Sequence, residues 1–159
     1  MPIDPQLQPT LLGRFATGVT VVTMKAGDTL WGMTANAVTS LSLDPPLVLV
    51  CVDKTTQTHG FLNEAGAFAM NILAENQEEI SNRFATPGPK EFSDLDYQDG
   101  ETGSPVLGGT LGYVDCRLSE VIAGGDHDIF IGEIVNGEDR AEEDGGRPLL
   151  YFGGYARLG

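Results

Sequence analysis

With 159 residues, 23 acidic against 9 basic side chains and a formal net charge of −14, the chain can bury roughly 70% of its unfolded surface as a single domain over 1–159, and its charge excludes nucleic acid or an anionic membrane surface as partner. Cys51 and Cys116 are far apart and form no C-x-x-C pair, which predicts reduced, buried thiols. The N-terminus MPIDPQLQPT has no basic region leading an apolar one and Leu47 to Val52 is the longest apolar run, so a soluble, cytoplasmic protein is expected.

In chain order, QLQPTLLGRF suits a short opening helix confined by Pro9 to its later part. The β-branched run VTVVTM and LWGMTANAV, separated by Gly27 and Asp28, predict an antiparallel pair over 19–24 and 29–37. Residues 47–52, between a double proline and Asp53, read as a strand buried on both faces. A helix from about Thr56 to Ala65 closes at Gly66, and FAMNIL is the next strand. Asn76 with Glu79 suggests a capping arrangement for a helix through Phe84.

From Thr86 to Gly109 the sequence has no period and is dense in Gly, Pro and Asp, which predicts a long functional or interfacial loop. LGYVDCRLSEVIA and HDIFIGEIV then alternate as half-buried strands, GEDRAEEDGG is a solvated acidic turn, and PLLYFGGY closes the chain as a last strand. Strands dominate, with two or three short helices and no regular strand-helix-strand unit. A small antiparallel barrel satisfies that pattern.

Common catalytic signatures are absent: no G-x-G-x-x-G after a strand, no P-loop, no G-x-S-x-G, and two histidines, His59 and His127, without metal-ligand spacing. A bound cofactor is therefore the expected carrier of any reaction. In MTANAVTSLSLDPP, five hydroxyl or amide side chains fall within nine residues (Thr34, Asn36, Thr39, Ser40 and Ser42). Such a cluster at a strand end either cradles a phosphate with neutral donors or bonds its own backbone.

Taken in order, GVTVVT, GMTANAVTSLSLDPPLVLVCVDKTTQTHGFL, FAMNIL, SNRFA, GDHDIFIGEIV and PLLYFGGY resemble the short-chain flavin reductases, the FMN-binding split barrels that supply reduced flavin to two-component monooxygenases. The resemblance runs from about Arg14 to Tyr155. It implies an antiparallel Greek-key split β-barrel, a homodimer with flavin near the subunit interface, and reduction of flavin by NADH or NADPH. FMN is the expected flavin, with FAD the second candidate, and a flavin-dependent monooxygenase component is the expected recipient.

Carried over by position, the resemblance implies that Thr34, Ala35 and Asn36 border the isoalloxazine, with Thr39 and Ser40 toward the ribityl phosphate. Cys51, Val52 and Asp53 would contact the ring system through their backbone. Lys54, Thr58 and Arg83 would assist at the ribityl or phosphate end, and Phe152 and Tyr155 would approach from the C-terminal segment. His127 would sit beside the nicotinamide.

Each residue also has an ordinary reading. Arg83 complements a helix C-terminus, Lys54 is a surface charge, Cys51 packs, Thr58 begins a helix, the two aromatics fill the core, and His127 is solvated at a strand start. Ala37 and Gly153 depart from the family pattern, which commonly has serine and a basic residue there; the second departure favours NADH over NADPH.

Only three of the nine basic residues are lysines. Such an acidic balance suits concentrated salt, where the Debye length falls to about 3 Å at 1 M, and equally suits an ordinary acidic protein.

Overall fold

The computed structural model describes residues 2–141 and 146–159. A short helix α1 (Leu7–Leu12) has no buried residue and leads into β1 (Thr17–Gly18), β2 (Thr20–Ala26), β3 (Thr29–Ala35), β4 (Val38–Leu43) and β5 (Pro46–Asp53). Helix α2 (Gln57–Ala65), strand β6 (Ala67–Ile72) and helix α3 (Glu78–Ala85) follow. The remainder is the short pair β7 (Tyr97–Asp99) and β8 (Pro105–Leu107), the long strands β9 (Gly112–Gly124) and β10 (His127–Asp139), and the small strands β11 (Leu150–Tyr151) and β12 (Tyr155–Ala156).

The main sheet has seven strands in the order β3-β2-β6-β9-β10-β5-β4, every neighbour antiparallel. Its two edge strands, β3 and β4, are consecutive in the chain and joined only by Asn36 and Ala37. Three Cα steps reach at most about 11 Å, so the sheet must curl until its opposite edges meet at this corner. The edges do not pair, so the expected mostly β, antiparallel architecture is present as an open, curled sheet.

Inside the curl lies a core of Val22, Met24, Trp31, Val48, Val50, Val52, Leu62, Phe68, Met70, Cys116 and Phe130. A second core forms behind β2, where Val19, Val21, Leu73, Phe84, Phe92, Leu107 and Leu149 cluster. Strand β2 feeds both, which is why six of its seven residues are buried and why its sequence is a β-branched run without polar alternation. Strand β5, expected to be buried on both faces, alternates instead: Val48, Val50 and Val52 are buried, while Leu47, Leu49 and Cys51 are half-buried on the outer face.

Thr56 caps α2 by accepting from the His59 amide, and Gly66 closes the helix at φ 64°, as the sequence indicates. Helix α3 departs from expectation. Its N-cap is Gln77, with no side-chain cap; the Gln77 amide instead accepts from Ala74 N (2.9 Å) and donates to the Gly108 carbonyl (3.1 Å).

The long stretch after Thr86 carries the β7–β8 pair, held by polar groups buried beneath it. Asn71, fully buried, accepts from Leu107 N at 3.0 Å and donates to Val21 O at 2.9 Å. Thr23 donates to Pro105 O at 2.5 Å. Buried Asp115 accepts from Thr102 N and Oγ1 at 2.9 and 2.6 Å. The closing segment is two short strands turned at Gly153 and paired with β1 in a separate three-stranded sheet. Residues 142–145 of the expected acidic turn lie outside the described residues.

Cys51 and Cys116 are both free thiols, and burial pushes the Cys116 pKa up to about 12. No helix among the described residues is long and apolar enough to span a membrane.

Asn71→Ala strands the Leu107 amide without a buried partner, so urea unfolding should show a loss of about 1–3 kcal/mol with loosening of the 97–107 segment in hydrogen exchange. An unchanged midpoint would mean that the β7–β8 pair is held by its apolar contacts alone.

Candidate functional site

The candidate residues converge on the corner where the sheet edges meet. Cys51 N donates to the Ala37 carbonyl (3.0 Å), His127 pairs across the sheet with Asp53, and Lys54 N donates to Asp126 O (3.0 Å). Ala35 to Ala37, Cys51 to Lys54 and Asp126 to His127 therefore share one end of the sheet. His127 is separated from the Asn36–Ala37 link by the width of β5, about 10 Å for two strand spacings.

The turn after β5 is rigid by its own chemistry. Asp53 Oδ1 accepts from Thr55 N and Oγ1 at 2.8 and 2.7 Å, which holds the carboxyl below its ordinary pKa, and Thr56 Oγ1 donates to Asp53 O at 2.8 Å. The next turn of α2 brings His59 Nε2 to 2.6 Å from Asp128 Oδ2, and the same carboxylate lies 3.8 Å from Lys54 Nζ. Sequence reasoning passed over His59 and Asp128; their contact spans 69 positions. His127 Nδ1 is 2.7 Å from Asp126 Oδ1, with its imidazole substantially exposed.

The five-residue polar cluster is divided. Thr34 Oγ1 donates to Ser81 O (2.6 Å), and Ser81 Oγ is 2.6 Å from the Tyr155 hydroxyl. Thr39 and Ser40 lie on β4, exposed, with Thr39 Oγ1 bonded to the Ser40 carbonyl; they form no single nest with Thr34. Among the described residues the Asn36 amide makes no hydrogen bond within the chain.

Thr58 is 4% exposed and its hydroxyl accepts from Trp31 Nε1 at 2.9 Å, while the residue still lines the groove described below. Arg83 is occupied: its Nη1 and Nη2 reach the Asp94 carboxylate at 2.7 and 3.0 Å, and Nη1 also donates to Glu91 O at 3.1 Å. This pairing raises the Arg83 pKa and lowers that of Asp94.

A groove follows the free edge of β3. A cavity of about 320 Å³ is lined by Trp31 to Met33, Thr55 to Thr58 at the start of α2, and Phe84 to Gly88 with Lys90. It shares Ala85 with a second cavity of about 210 Å³ bordered by Val19, Thr34, Asn36, Tyr151 and Tyr155. Asn36 and Tyr151 also line a third, of about 640 Å³, between the end of α1 and Phe152–Gly153. Gly32 is required in the groove wall, because a Cβ there would lie 2.7 Å from the Phe84 ring.

Lys90 is the cation that lines this cavity among the described residues. Its ammonium donates to the Thr86 carbonyl, lies 5.4 Å from the centroid of the Trp31 ring, and has its pKa lowered by burial. It faces the same cavity as the first turn of α2, whose leading amides lack helical partners. A flat ring against Thr34 and Asn36 with an anionic tail toward Lys90 fits these donors. Among the described residues, no group of three or more His, Cys, Asp or Glu gathers to hold a metal.

The flavin reductase like domain matches residues 12–159. The chain belongs to the flavin reductase family. It is 38% identical over 152 residues to the flavin-dependent monooxygenase reductase subunit HsaB of Rhodococcus jostii, covering 96% of this chain and 76% of that protein. It is 42% identical over 143 residues to the FMN reductase (NADH) SmoA of Agrobacterium fabrum, covering 90% and 79%. Among solved structures, the NADH:FAD oxidoreductase SgcE6 of Streptomyces globisporus superposes with a TM-score of 0.89 at 37% identity, covering 100% of this chain and 98% of that one. Among the relatives of this flavin reductase family member, one is named an FMN reductase and another an NADH-dependent FAD reductase.

The Asp94–Arg83 bond contributes fully above the ordinary carboxyl value of 3.8 and is lost as pH falls through the lower folded-state pKa. Melting curves of Asp94→Asn should thus lie below wild type near pH 7 and merge with it by about pH 2. A constant gap at all pH values would assign the effect to packing.

Proposed function

We propose that the protein is an NAD(P)H-dependent flavin reductase, with FMN its preferred flavin, that passes reduced flavin to a flavin-dependent oxygenase. The observation carrying this reading is the continuous groove on the free β3 edge, which joins a cation-lined anion end at Lys90 to an unbonded amide at Asn36. Flavin held here would supply the redox chemistry, as the acceptor of a hydride from the reduced nicotinamide, which would leave oxidised.

The chain's own part is positional. Thr34, fixed by Ser81, and the backbone of Ala35 and Asn36 border the ring. Lys90 and the first turn of α2 take the phosphate. Cys51 to Lys54, held at Cys51 N by the Ala37 carbonyl, at Lys54 N by the Asp126 carbonyl and at Asp53 by the Thr55 bonds, present a rigid backbone edge, and the Lys54 side chain is oriented by Asp128. His127, carried on β10 beside Asp53, orients the nicotinamide. Holding two rings at about 3–3.5 Å removes much of the entropic cost of the step, and no general base is required.

A homodimer belongs to the same reading. Half-buried Leu47, Leu49, Cys51 and Ile129 form a stripe on the outer face of β5 and β10, and it continues into Ile122 of β9, 42% exposed. A second copy covering this face would bury the stripe and close the corner carrying His127.

NADH consumption with added FMN, followed anaerobically by loss of flavin absorbance, tests the activity. No reduction with either NADH or NADPH would reject it. Lys90→Ala should weaken FMN about tenfold or more and riboflavin by less than threefold, measured by fluorescence quenching; equal losses would remove Lys90 from the phosphate. His127→Ala should keep FMN affinity within about threefold and lower kcat/KM for NADH about tenfold or more in stopped-flow reduction. An unchanged rate would return His127 to a solvated strand start.

A further inference from the structure

Asp53 at the end of β5, Asp126 in the turn before β10 and Asp128 on β10 surround a single ammonium group, that of Lys54. The Lys54 amide donates to Asp126 O at 3.0 Å, so the root of the side chain is fixed and only its half-exposed arm can swing. Each carboxylate is nonetheless taken by another group. Asp53 Oδ1 accepts from Thr55 N and Oγ1, Asp126 Oδ1 lies 2.7 Å from His127 Nδ1, and Asp128 Oδ2 lies 2.6 Å from His59 Nε2. Lys54 Nζ is left 3.8 Å from Asp128 Oδ1, beyond hydrogen-bond length. Among the described residues its ammonium makes no hydrogen bond.

His59 decides this outcome. A carboxylate only accepts, so His59 donates through Nε2–H. Asp128 shares a face of β10 with Phe130, which lies in the core, and its side chain is only 15% exposed, so it needs a close donor. The imidazole is aimed at it by α2: Thr56 Oγ1 accepts from His59 N at 3.4 Å, Asn63 Nδ2 donates to His59 O at 3.0 Å, and the ring stands edge-on to Phe130 at 5.3 Å. Without the imidazole the nearest cation is Lys54, whose ammonium has to move only about 1 Å to reach the length of a charge-assisted bond.

We propose that His59 is a positioning residue that keeps Lys54 available to the flavin phosphate, by holding the Asp128 carboxylate away from it. Lys54 immediately precedes Thr55 to Thr58, which line the Lys90 cavity, so the freed ammonium serves the same anionic end of the groove. His59 acts through Asp128 and touches no ligand in this role. The identity of the anion rests on the flavin reductase reading above. The contact itself, between side chains 69 positions apart, is one on which that reading does not depend.

The test is the affinity of FMN and of riboflavin, by flavin fluorescence quenching, for wild type, His59→Ala, His59→Gln, Asp128→Asn and the double variant His59→Ala/Asp128→Asn. His59→Ala should weaken FMN about fivefold or more and riboflavin less than about twofold, because Asp128 then captures Lys54. His59→Gln, whose amide can donate to the same oxygen, should recover most of the loss. Asp128→Asn should bind FMN at least as tightly as wild type. The double variant should bind FMN within about twofold of wild type, since the competing charge is gone. A purely structural role for His59 predicts a double variant no better than His59→Ala. In a Lys54→Ala background, adding His59→Ala should change FMN affinity by less than about twofold.

A double variant as weak as His59→Ala would overturn this inference, as would equal losses for FMN and riboflavin. If His59→Ala does not fold, Lys54→Ala carries the test: a selective loss of FMN over riboflavin supports the inference, and unchanged FMN affinity overturns it. A wild type that shows these variant effects yet oxidises neither NADH nor NADPH would remove the reductase reading and leave this inference standing.

Discussion

Everything that places the site follows from two residues, Asn36 and Ala37, which connect the opposite edges of a seven-stranded sheet. A link that short cannot span an open sheet, so the sheet curls around Phe68, Phe130, Val50 and their neighbours and brings its edges to one corner. The edges meet without pairing. Strand β3 thereby keeps a free edge, normally a liability in an antiparallel sheet, and here that edge is the floor of the groove. Covering it with α3 and the 86–90 segment protects the strand and creates the cavities in one step.

Charge is organised around the same groove. A large acid excess keeps the protein soluble but repels anionic ligands, and most of the chain's cations are held by carboxylates of its own. Arg83 illustrates the outcome: its fork is filled by Asp94. Lys90 sits a few residues away, against the Trp31 ring and a backbone carbonyl, and faces the cavity with no carboxylate to compete. The candidate site is assembled from helix amides, hydroxyls, an amide side chain and one or two free cations, which is enough for a reaction whose chemistry resides in the bound ring.

The second core has a different role. Asn71, Thr23 and Asp115 are buried polar groups whose partners lie in the 97–107 segment, and they tie a Gly- and Pro-rich stretch to the back of β2 and β6. A fully satisfied buried network of this kind is specific as well as stabilising. It anchors the long connection following α3, and with it the far wall of the Lys90 cavity.

The sequence by itself determined many of the elements and the family, while β4 and the β7–β8 pair fall in stretches it marked as turn and loop. The β-branched run of β2, the Thr56 cap and Gly66 stop of α2, and the paired alternation of β9 and β10 are local signals, set by backbone and side-chain preferences within a few residues. The ordered motifs around Thr34 to Asn36, Cys51 to Lys54 and GDHDIF likewise marked the corner. Only the tertiary structure decided which side chains are free to act there. Thr58 lies inward because Trp31, 27 positions away, needs an acceptor; Arg83 pairs with Asp94, which folds back onto it; His59 and Asp128 meet across 69 positions; and among the described residues no carboxylate lies within ion-pair distance of Lys90. Availability is a matter of long-range neighbours in space, and the spacing of residues along the chain carries no record of it.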